Sequence, residues 1–200
     1  NPELSNREFN TAARVAEILR GMGLEPQTGI AHTGVIAIIE GGIPGPLVAI
    51  RTDMDGLPVV EQTGLEFAST ARSEYNGQDV GVMHACGHDM HMSCLLAAAE
   101  ILLQLKDQWK GTLVVLFQPA EERGTGAQAR VDDGLYGSHQ CPVPDFVLGQ
   151  HGVAAREGSI ATRVGTLMAG ADSMKITITG LGGHGSQVRI HSHKPLCVSC

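Results

Sequence analysis

The sequence lacks a basic cluster, a long apolar run and a paired set of cysteines, and each absence excludes a class of protein. Its 14 lysines and arginines are outnumbered by 21 aspartates and glutamates, which gives a formal net charge of -7. Nucleic-acid binding depends on dense positive charge opposite phosphates, so we expect no DNA or RNA partner. Apolar runs such as LLAAA and TLVVLF are far shorter than the roughly 20 residues that span a bilayer, so we expect no membrane segment.

The cysteines and the first residues predict the compartment. The five cysteines are an odd number at irregular spacings, which does not suit a disulfide framework and favours a reducing environment. NPELSNREF has neither the basic nor the apolar segment of a secretory signal, so we expect none. We therefore predict a cytoplasmic protein.

The first third of the chain predicts a helix followed by strands. Apolar residues at largely helical spacing indicate a helix over residues 6–22, with Ser5 as its N-cap and Gly23 at its end. The runs GVIAIIEG and PLVAIRTD flank GGIPG, whose Gly and Pro residues suit a turn. This pattern is typical of a hairpin or of neighbouring strands.

The remaining pattern predicts the fold class. The Ala- and Leu-rich stretch 92–105 indicates a buried helix, and TLVVLFQP and FVLGQH indicate two fully buried strands. Strands that alternate with a long helix predict an α/β fold with a largely parallel sheet. SMKITITGLGGHGS alternates apolar and polar residues, as a half-exposed strand does, and we expect a second unit to begin near residue 170.

The segment HACGHDMH, residues 84–91, is rich in side chains that bind metals. Cys86 and His88 are one residue apart, and Gly87 between them allows the backbone to bend so that both can reach one ion. A thiolate and an imidazole suit zinc, manganese, cobalt or nickel better than calcium or magnesium. Alternatively, Cys86 is a small buried apolar residue and the histidines cap the helix that follows.

Other polar residues follow the predicted strands. Glu121 and Glu122 come after TLVVLFQP, where one carboxylate can bind a metal while the other takes a proton from metal-bound water. His151 in GQH offers a further nitrogen, and Asp53 and Asp55 in RTDMDGLP offer carboxylates. Each of these residues is also compatible with a solvated loop, a turn cap or a structural histidine. Because the carboxyl ends of parallel strands meet at one sheet edge, we expect them to form a metallohydrolase site.

Five motifs in order, RTDMDGLP, MHACGHDMH, FQPAEE, GQH and ITGLGGHGS, closely resemble the metal-dependent amidohydrolases of the aminoacylase and carboxypeptidase superfamily. The resemblance is to the branch that contains hippurate hydrolase, N-acyl-amino-acid hydrolases and plant auxin-conjugate hydrolases. It implies a zinc-exopeptidase-like catalytic domain with a mixed, mainly parallel sheet flanked by helices, here residues 1–169. It also implies the first strand of an α+β lid domain and a divergent tail at residues 170–200, with the lid mediating a homodimer.

The resemblance implies a role for each motif residue. Glu121 would be the general acid/base, Asp55 would support the metal centre, and His184 would contact the substrate or stabilise the oxyanion. The cofactor would be a divalent transition metal, zinc or manganese, with cobalt and nickel as further candidates. The implied metal ligands are Cys86, His88, Glu122 and His151.

The resulting functional hypothesis is hydrolysis of the amide bond of a small-molecule N-acyl amino acid, with Glu121 as general base. A dipeptidase or carboxypeptidase of the same superfamily is one alternative, although Cys86 and DMDGLP favour the acyl-amino-acid branch. A non-catalytic metal-binding fragment that acts only by association is the other.

The C-terminal part departs from the family pattern. The family takes a further metal-binding histidine from a segment beyond the point where this sequence ends, so we expect a C-terminally truncated chain with an incomplete dinuclear site. After GGHGSQ the family has a Pro-His pair, where this sequence reads VRIHSHKPLCVSC. Cys197 and Cys200 form one CxxC without a second pair. We interpret His191 and His193 as solvated tail residues.

Overall fold

The computed structural model describes residues 1–170 and a few positions beyond them, namely Asp172, Met174, Ile176, Thr177 and the backbone of Leu181–Gly182 and Leu196–Cys197. The chain divides into two compact units, Asn1–Ala154 and Ala155–Cys200. In the second unit, Leu181–Gly182 pairs in parallel with Leu196–Cys197. The predicted boundary between a catalytic domain and a lid at residues 169 and 170 stays a prediction.

The first unit contains three helices and seven strands among the described residues. The helices are α1 (Phe9–Gly21), α2 (His88–Gln104) and α3 (Gly126–Asp132), and a short 3-10 turn covers Lys106–Gln108. The strands are β1 (Gln27–Ile30), β2 (Gly34–Glu40), β3 (Ile43–Asp53), β4 (Arg72–Tyr75), β5 (Gln78–Gly81), β6 (Lys110–Gln118) and β7 (Phe146–Gly149). None of the helices described has the length and apolar content to span a bilayer.

Five of these strands form one mixed sheet in the order β1-β2-β6-β3-β7, and β4 and β5 form a separate hairpin. β2 is antiparallel to β1 and β6, whereas β3 is parallel to both β6 and β7. The predicted mixed sheet with flanking helices is thus confirmed. The predicted direct pairing of GVIAIIEG with PLVAIRTD is wrong, because β6 lies between β2 and β3. β6 occupies the central position of the sheet, where both of its faces are buried.

Apolar side chains cover both faces of the sheet. Along β6, Leu113, Val115 and Phe117 belong to one buried cluster, while the alternate residues Val114 and Leu116 belong to another. Since successive side chains of a strand point to opposite faces, the two clusters lie on opposite sides of the sheet. Helices α1 and α2 contribute to the first cluster, and the segment after α3 contributes to the second.

Two details of the predicted elements are wrong. The first helix begins at Phe9 with Glu8 at its N-cap position, so Ser5 lies too early in the chain to cap it. The Ser5 hydroxyl instead donates to Asp55 Oδ2 over 2.6 Å. The strand of FVLGQH is present as β7, but it is not buried, and Phe146 is 60% exposed. β7 is exposed because it is an edge strand that pairs only with β3 among the strands described.

Candidate metal centre

The candidate site lies at the carboxyl ends of three parallel strands. β3 ends at Asp53, β6 at Gln118 and β7 at Gly149, and Asp53 and Gln118 are partners in the sheet register. The segments that leave these ends carry the aspartates, the glutamate pair and the histidine of GQH. The loop before α2 carries the Cys-Gly-His sequence to the same place. Parallel pairing therefore brings together motifs that are far apart in the sequence.

The loop before α2 bends at Gly87. Gly87 has a φ of 78°, in the left-handed region that favours glycine, and it occupies the N-cap position of α2. No side chain caps this helix, so the alternative in which the histidines serve as caps does not describe the structure. The bend leaves Cys86 in the loop and makes His88 the first residue of the helix.

His88 is fully buried, and its hydrogen bonds define which ring nitrogen is free. Nδ1 lies 2.8 Å from the backbone carbonyl of Asp55, which can only accept, so Nδ1 carries the proton. Nε2 therefore has a lone pair, and it has no partner among the described residues. It lies 3.5 Å from Asp53 Oδ2, 3.7 Å from Glu121 Oε2 and 3.8 Å from Glu122 Oε1. A lone pair surrounded by carboxylates fits a divalent cation.

The two glutamates differ in exposure. The side chain of Glu122 is 18% exposed and that of Glu121 is 37% exposed. Glu122 Oε1 is itself buried without a partner and faces His88 Nε2. The other buried polar atoms that lack a partner among the described residues belong to His84 and Arg130, which are in none of the groups that could hold an ion.

Cys86, in the loop before α2, and His151, in the segment after β7, both lie close to His88. Cys86 Sγ lies 3.3 Å from His151 Nε2, and His151 Nδ1 donates to the Gly152 carbonyl over 2.7 Å. His151 therefore also directs an unprotonated Nε2 into the site. Cys86, His88 and His151 form one group whose ligand atoms lie within 4.8 Å of one another. A second group of this kind contains His88 and the two glutamates. The four predicted ligands thus fall into two groups that share His88.

The pKa shifts around His88 result from burial together with the negative charge of the nearby carboxylates. Burial raises the pKa of the Cys86 thiol to about 11, and Glu122 and Glu121 add to the increase. Burial and the nearby Glu121 and Asp55 raise the pKa of Glu122, although His88 opposes them. Burial lowers the pKa of His88, but the surrounding carboxylates, Asp55 first, raise it overall. A divalent cation would stabilise the deprotonated forms of all three groups.

Asp55 is buried behind the ligands and contacts backbone rather than the open centre of the site. Its Oδ1 accepts the N–H of Glu121 over 3.2 Å and its Oδ2 accepts the N–H of Glu122 over 3.0 Å. Burial raises the pKa of Asp55, but hydrogen bonds led by those from His88 and Ser5 lower it overall. Asp55 is therefore a charged group that fixes the backbone of both glutamates.

His91 is a site residue that the sequence analysis missed. Its Nε2 accepts the N–H of Gly152 over 2.8 Å, so the proton is on Nδ1, which donates to Asp53 Oδ1 over 2.8 Å. Asp53, His88 and His91 are close enough to form a metal-binding group, but both nitrogens of His91 are already in use. His91 instead connects the end of β3 to the backbone beside His151. The sequence offered one signal for His91: it is three residues after His88, and residues three apart lie on the same helix face.

Asp53 is also held by protein contacts. Its Oδ2 accepts a hydrogen bond from Arg51 Nη1 over 2.8 Å, and Arg51 Nε donates to Gln118 Oε1 over 2.9 Å. Burial raises the pKa of Asp53, but the bond from His91 and the charges of Arg51 and His88 lower it overall. Asp53 is therefore ionised and paired. His184, the predicted substrate-contacting residue, lies outside the described residues.

Comparison with known proteins identifies the family. The chain belongs to peptidase family M20/M25/M40, whose model matches residues 49–197. This confirms the resemblance drawn from the five motifs. Thermostable carboxypeptidase 1 of Saccharolobus solfataricus is 44% identical over 189 residues, which are 92% of this chain and 45% of that protein. The N-acetyl-L-cysteine deacetylase of Bacillus subtilis is 41% identical over 184 residues, which are 92% of this chain and 41% of that protein.

A solved structure extends the comparison to the fold. The Bacillus subtilis YXEP protein, described as a dinuclear metal-binding peptidase of the M20 family, matches with a TM-score of 0.65 and 38% identity. The match covers 76% of this chain and 39% of that one. The chain therefore spans less than half the length of each of these three relatives.

Proposed function

We propose that the residues around His88 bind a divalent transition metal and serve the hydrolysis of amide bonds in small N-acyl amino acids. One observation carries the proposal: His88 Nε2 and Glu122 Oε1 are both buried, both lack a partner among the described residues and lie 3.8 Å apart. Buried polar atoms are nearly always paired, so two that face each other indicate a missing partner of positive charge.

The residues present fit such an ion. Cys86, His88 and His151 offer sulfur and nitrogen, and Glu122 offers an oxygen, a donor set that suits zinc or manganese, with cobalt or nickel as further candidates. When bound, a divalent ion of this kind lowers the pKa of a coordinated water toward neutrality and polarises the amide carbonyl. The imidazole rings are already oriented for this task, because each donates its Nδ1 proton to a backbone carbonyl.

Glu121 is the proposed general base. Its carboxylate lies 3.7 Å from His88 Nε2 yet is more exposed than that of Glu122, so it can reach both the centre of the site and a substrate that enters from solvent. It would take the proton from the attacking water and deliver it to the leaving amine. Asp55 would keep both glutamate backbones in place during this transfer, and His184 keeps its proposed role in binding substrate or stabilising the oxyanion.

The relatives narrow the substrate class. One is named a carboxypeptidase and another a deacetylase of N-acetyl-L-cysteine. In both reactions the bond that breaks is an amide and the leaving group is the amine of an amino acid. Hippurate, N-acetyl amino acids and auxin conjugates share this bond, and a carboxypeptidase substrate is the second candidate because that relative is 44% identical. The homodimer and the cytoplasmic location stay predictions.

Glu121→Gln provides the decisive experiment, because it separates metal binding from catalysis. We would measure bound metal and the hydrolysis of hippurate, N-acetyl amino acids and C-terminally extended peptides, both in the 200-residue chain and in a form extended to the length of its relatives. The expected result is that Glu121→Gln retains the metal but loses hydrolysis wherever the parent protein is active. A parent protein that binds metal but is inactive in both forms would favour the non-catalytic alternative. A parent that binds no metal would contradict the proposal.

A further inference from the structure

Glu8 is a fully buried carboxylate that reaches the candidate site only through the backbone. Its Oε1 accepts the N–H of Ala120 over 2.8 Å, and its Oε2 accepts the hydroxyl of Thr33 over 2.8 Å. Ala120 immediately precedes the glutamate pair, although it is 112 residues from Glu8 in the sequence. Burial of a polar side chain is costly unless it is hydrogen-bonded, and both oxygens of Glu8 have a hydrogen-bond partner.

Ala120 has an unusual backbone conformation. Its φ is 49°, in the left-handed region that alanine rarely adopts, so surrounding contacts must maintain it. The carbonyl of Ala120 accepts the N–H groups of Thr125 and Gly126, and its N–H is held by Glu8. Ala120 is therefore fixed on both sides at the point where the chain leaves β6 and turns toward His88.

Two buried carboxylates together hold three successive N–H groups. Glu8 accepts that of Ala120, and Asp55 accepts those of Glu121 and Glu122. The backbone is thus held by a hydrogen bond to a buried carboxyl group at each residue from Ala120 to Glu122. The shape of this segment determines how far Glu122 Oε1 lies from His88 Nε2.

We propose that Glu8 is a positioning residue of the metal site. It holds the turn at Ala120 so that Glu122 faces His88 and Glu121 lies beside it. This inference rests on the proposed function, since it requires that an ion is bound between these side chains. Groups that orient metal ligands typically contribute about 10- to 100-fold to metal affinity or activity.

The two ends of Glu8 provide a matched pair of variants. Glu8→Ala removes the acceptor for Ala120, whereas Thr33→Val removes only the hydroxyl at the other end and leaves the contact with Ala120. Both changes leave a buried polar group without its partner and should lower the midpoint of thermal unfolding. Glu8→Gln is the conservative variant, because its amide oxygen can still accept the N–H of Ala120 while its amide nitrogen donates to the Thr33 hydroxyl.

Metal affinity separates a positioning role from a merely structural one. We would titrate the folded chain with Co²⁺ against a competing chelator, below the unfolding midpoint of every variant, and follow the sulfur-to-cobalt absorption that reports Cys86. Glu8→Ala should weaken the affinity about 10- to 100-fold. Thr33→Val should bind as the parent does, despite its lower midpoint, and Glu8→Gln should recover most of the loss.

The outcomes distinguish this inference from the function on which it rests. If the parent chain binds Co²⁺ and folded Glu8→Ala binds it equally well, Glu8 is purely structural and the inference is wrong while the metal site stands. If the parent chain binds no Co²⁺, the proposed function is wrong and the inference with it. Should Glu8→Ala not fold, Glu8→Met takes its place, because it removes the acceptor for Ala120 and keeps most of the buried side-chain volume.

Discussion

The two sides of His88 differ in how completely their polar atoms are paired. On one side, Asp53 Oδ1 accepts from His91 and Asp53 Oδ2 accepts from Arg51, so both of its oxygens have donors. On the other side, His88 Nε2 and Glu122 Oε1 are buried without a partner among the described residues. A buried polar atom without a partner typically costs about 1–3 kcal/mol, so a cation bound between these two atoms would stabilise the second side.

We interpret this difference as one between residues that position the site and the proposed metal ligands. The paired side contains a carboxylate, an imidazole and a guanidinium whose contacts satisfy one another, which makes it a rigid support. The open side contains the sulfur, nitrogen and oxygen atoms that could surround an ion. All of these residues are common metal ligands or their usual neighbours, so their types alone do not distinguish the two sides. Their hydrogen bonds distinguish the two sides.

Removal of His88 should have the largest effect, because all three groups of possible metal ligands among the described residues contain it. We expect His88→Ala to weaken metal affinity by more than about 100-fold, the upper limit typical of residues that only orient ligands. Metal content after dialysis against a chelator would measure the loss. His139→Ala is the control, because His139 pairs with Asp133 away from the site and should leave the content unchanged. Equal metal content in both variants would contradict the site.

Removal of His91 should have a smaller effect, since it breaks the paired side and leaves the open side intact. His91→Ala deprives Asp53 of a donor and Gly152 of an acceptor, which should lower the free energy of unfolding by about 1–3 kcal/mol. Metal affinity should fall by about 10- to 100-fold. His91→Asn, whose amide can still donate to Asp53, should fall between Ala and the parent. A loss as large as that of His88→Ala would instead make His91 a ligand.

The pH dependence of metal affinity tests whether the atoms of the open side are the metal ligands. Burial raises the pKa of the Cys86 thiol to about 11, so at neutral pH an ion must displace the proton from its sulfur. The pKa values of His88 and Glu122 are raised as well. Metal affinity should therefore increase with pH across the neutral range, by about tenfold per pH unit for each proton released. Cys86→Ser should reduce the slope by one proton, and Cys94→Ser, at an exposed cysteine, should not. Affinity that is independent of pH would contradict the assignment of Cys86 as a ligand.

The same comparison explains what the sequence could predict. Cys86, His88 and the glutamate pair are residue types that bind metals and lie in compact motifs, and the position of the glutamate pair after an apolar strand predicted that it would lie at the sheet edge. Glu8 and His91 were missed because they act through backbone N–H groups of segments 112 and 61 residues away. The spacing of His91 from His88 indicates a shared helix face, but no local pattern encodes the contact of His91 with Gly152 or that of Glu8 with Ala120.

The errors in the fold have a related cause. Ser5 has the residue type of an N-cap, but Asp55, a distant residue, takes its hydroxyl. The two runs beside GGIPG were expected to pair because they are adjacent in sequence, whereas each of them pairs with the distant strand β6 instead. β7 is apolar enough for burial, but its position at the sheet edge decides its exposure. Local pattern specified the elements, and competition between distant segments decided how they were arranged.

Ser5→Ala should have the smallest effect of these changes, and it tests the support behind His88. Hydrogen bonds from His88, Ser5 and Glu122 outweigh burial and hold the pKa of Asp55 below its usual value of 3.8. Asp55 therefore stabilises the fold above about that pH, and the contribution is lost as the pH falls through the lowered value. Loss of the Ser5 hydroxyl should lower the free energy of unfolding at neutral pH by about 1 kcal/mol. It should also move acid unfolding to higher pH, as monitored by circular dichroism. An unchanged acid transition would mean that the bond of 2.6 Å between Ser5 and Asp55 does not support the charged carboxylate.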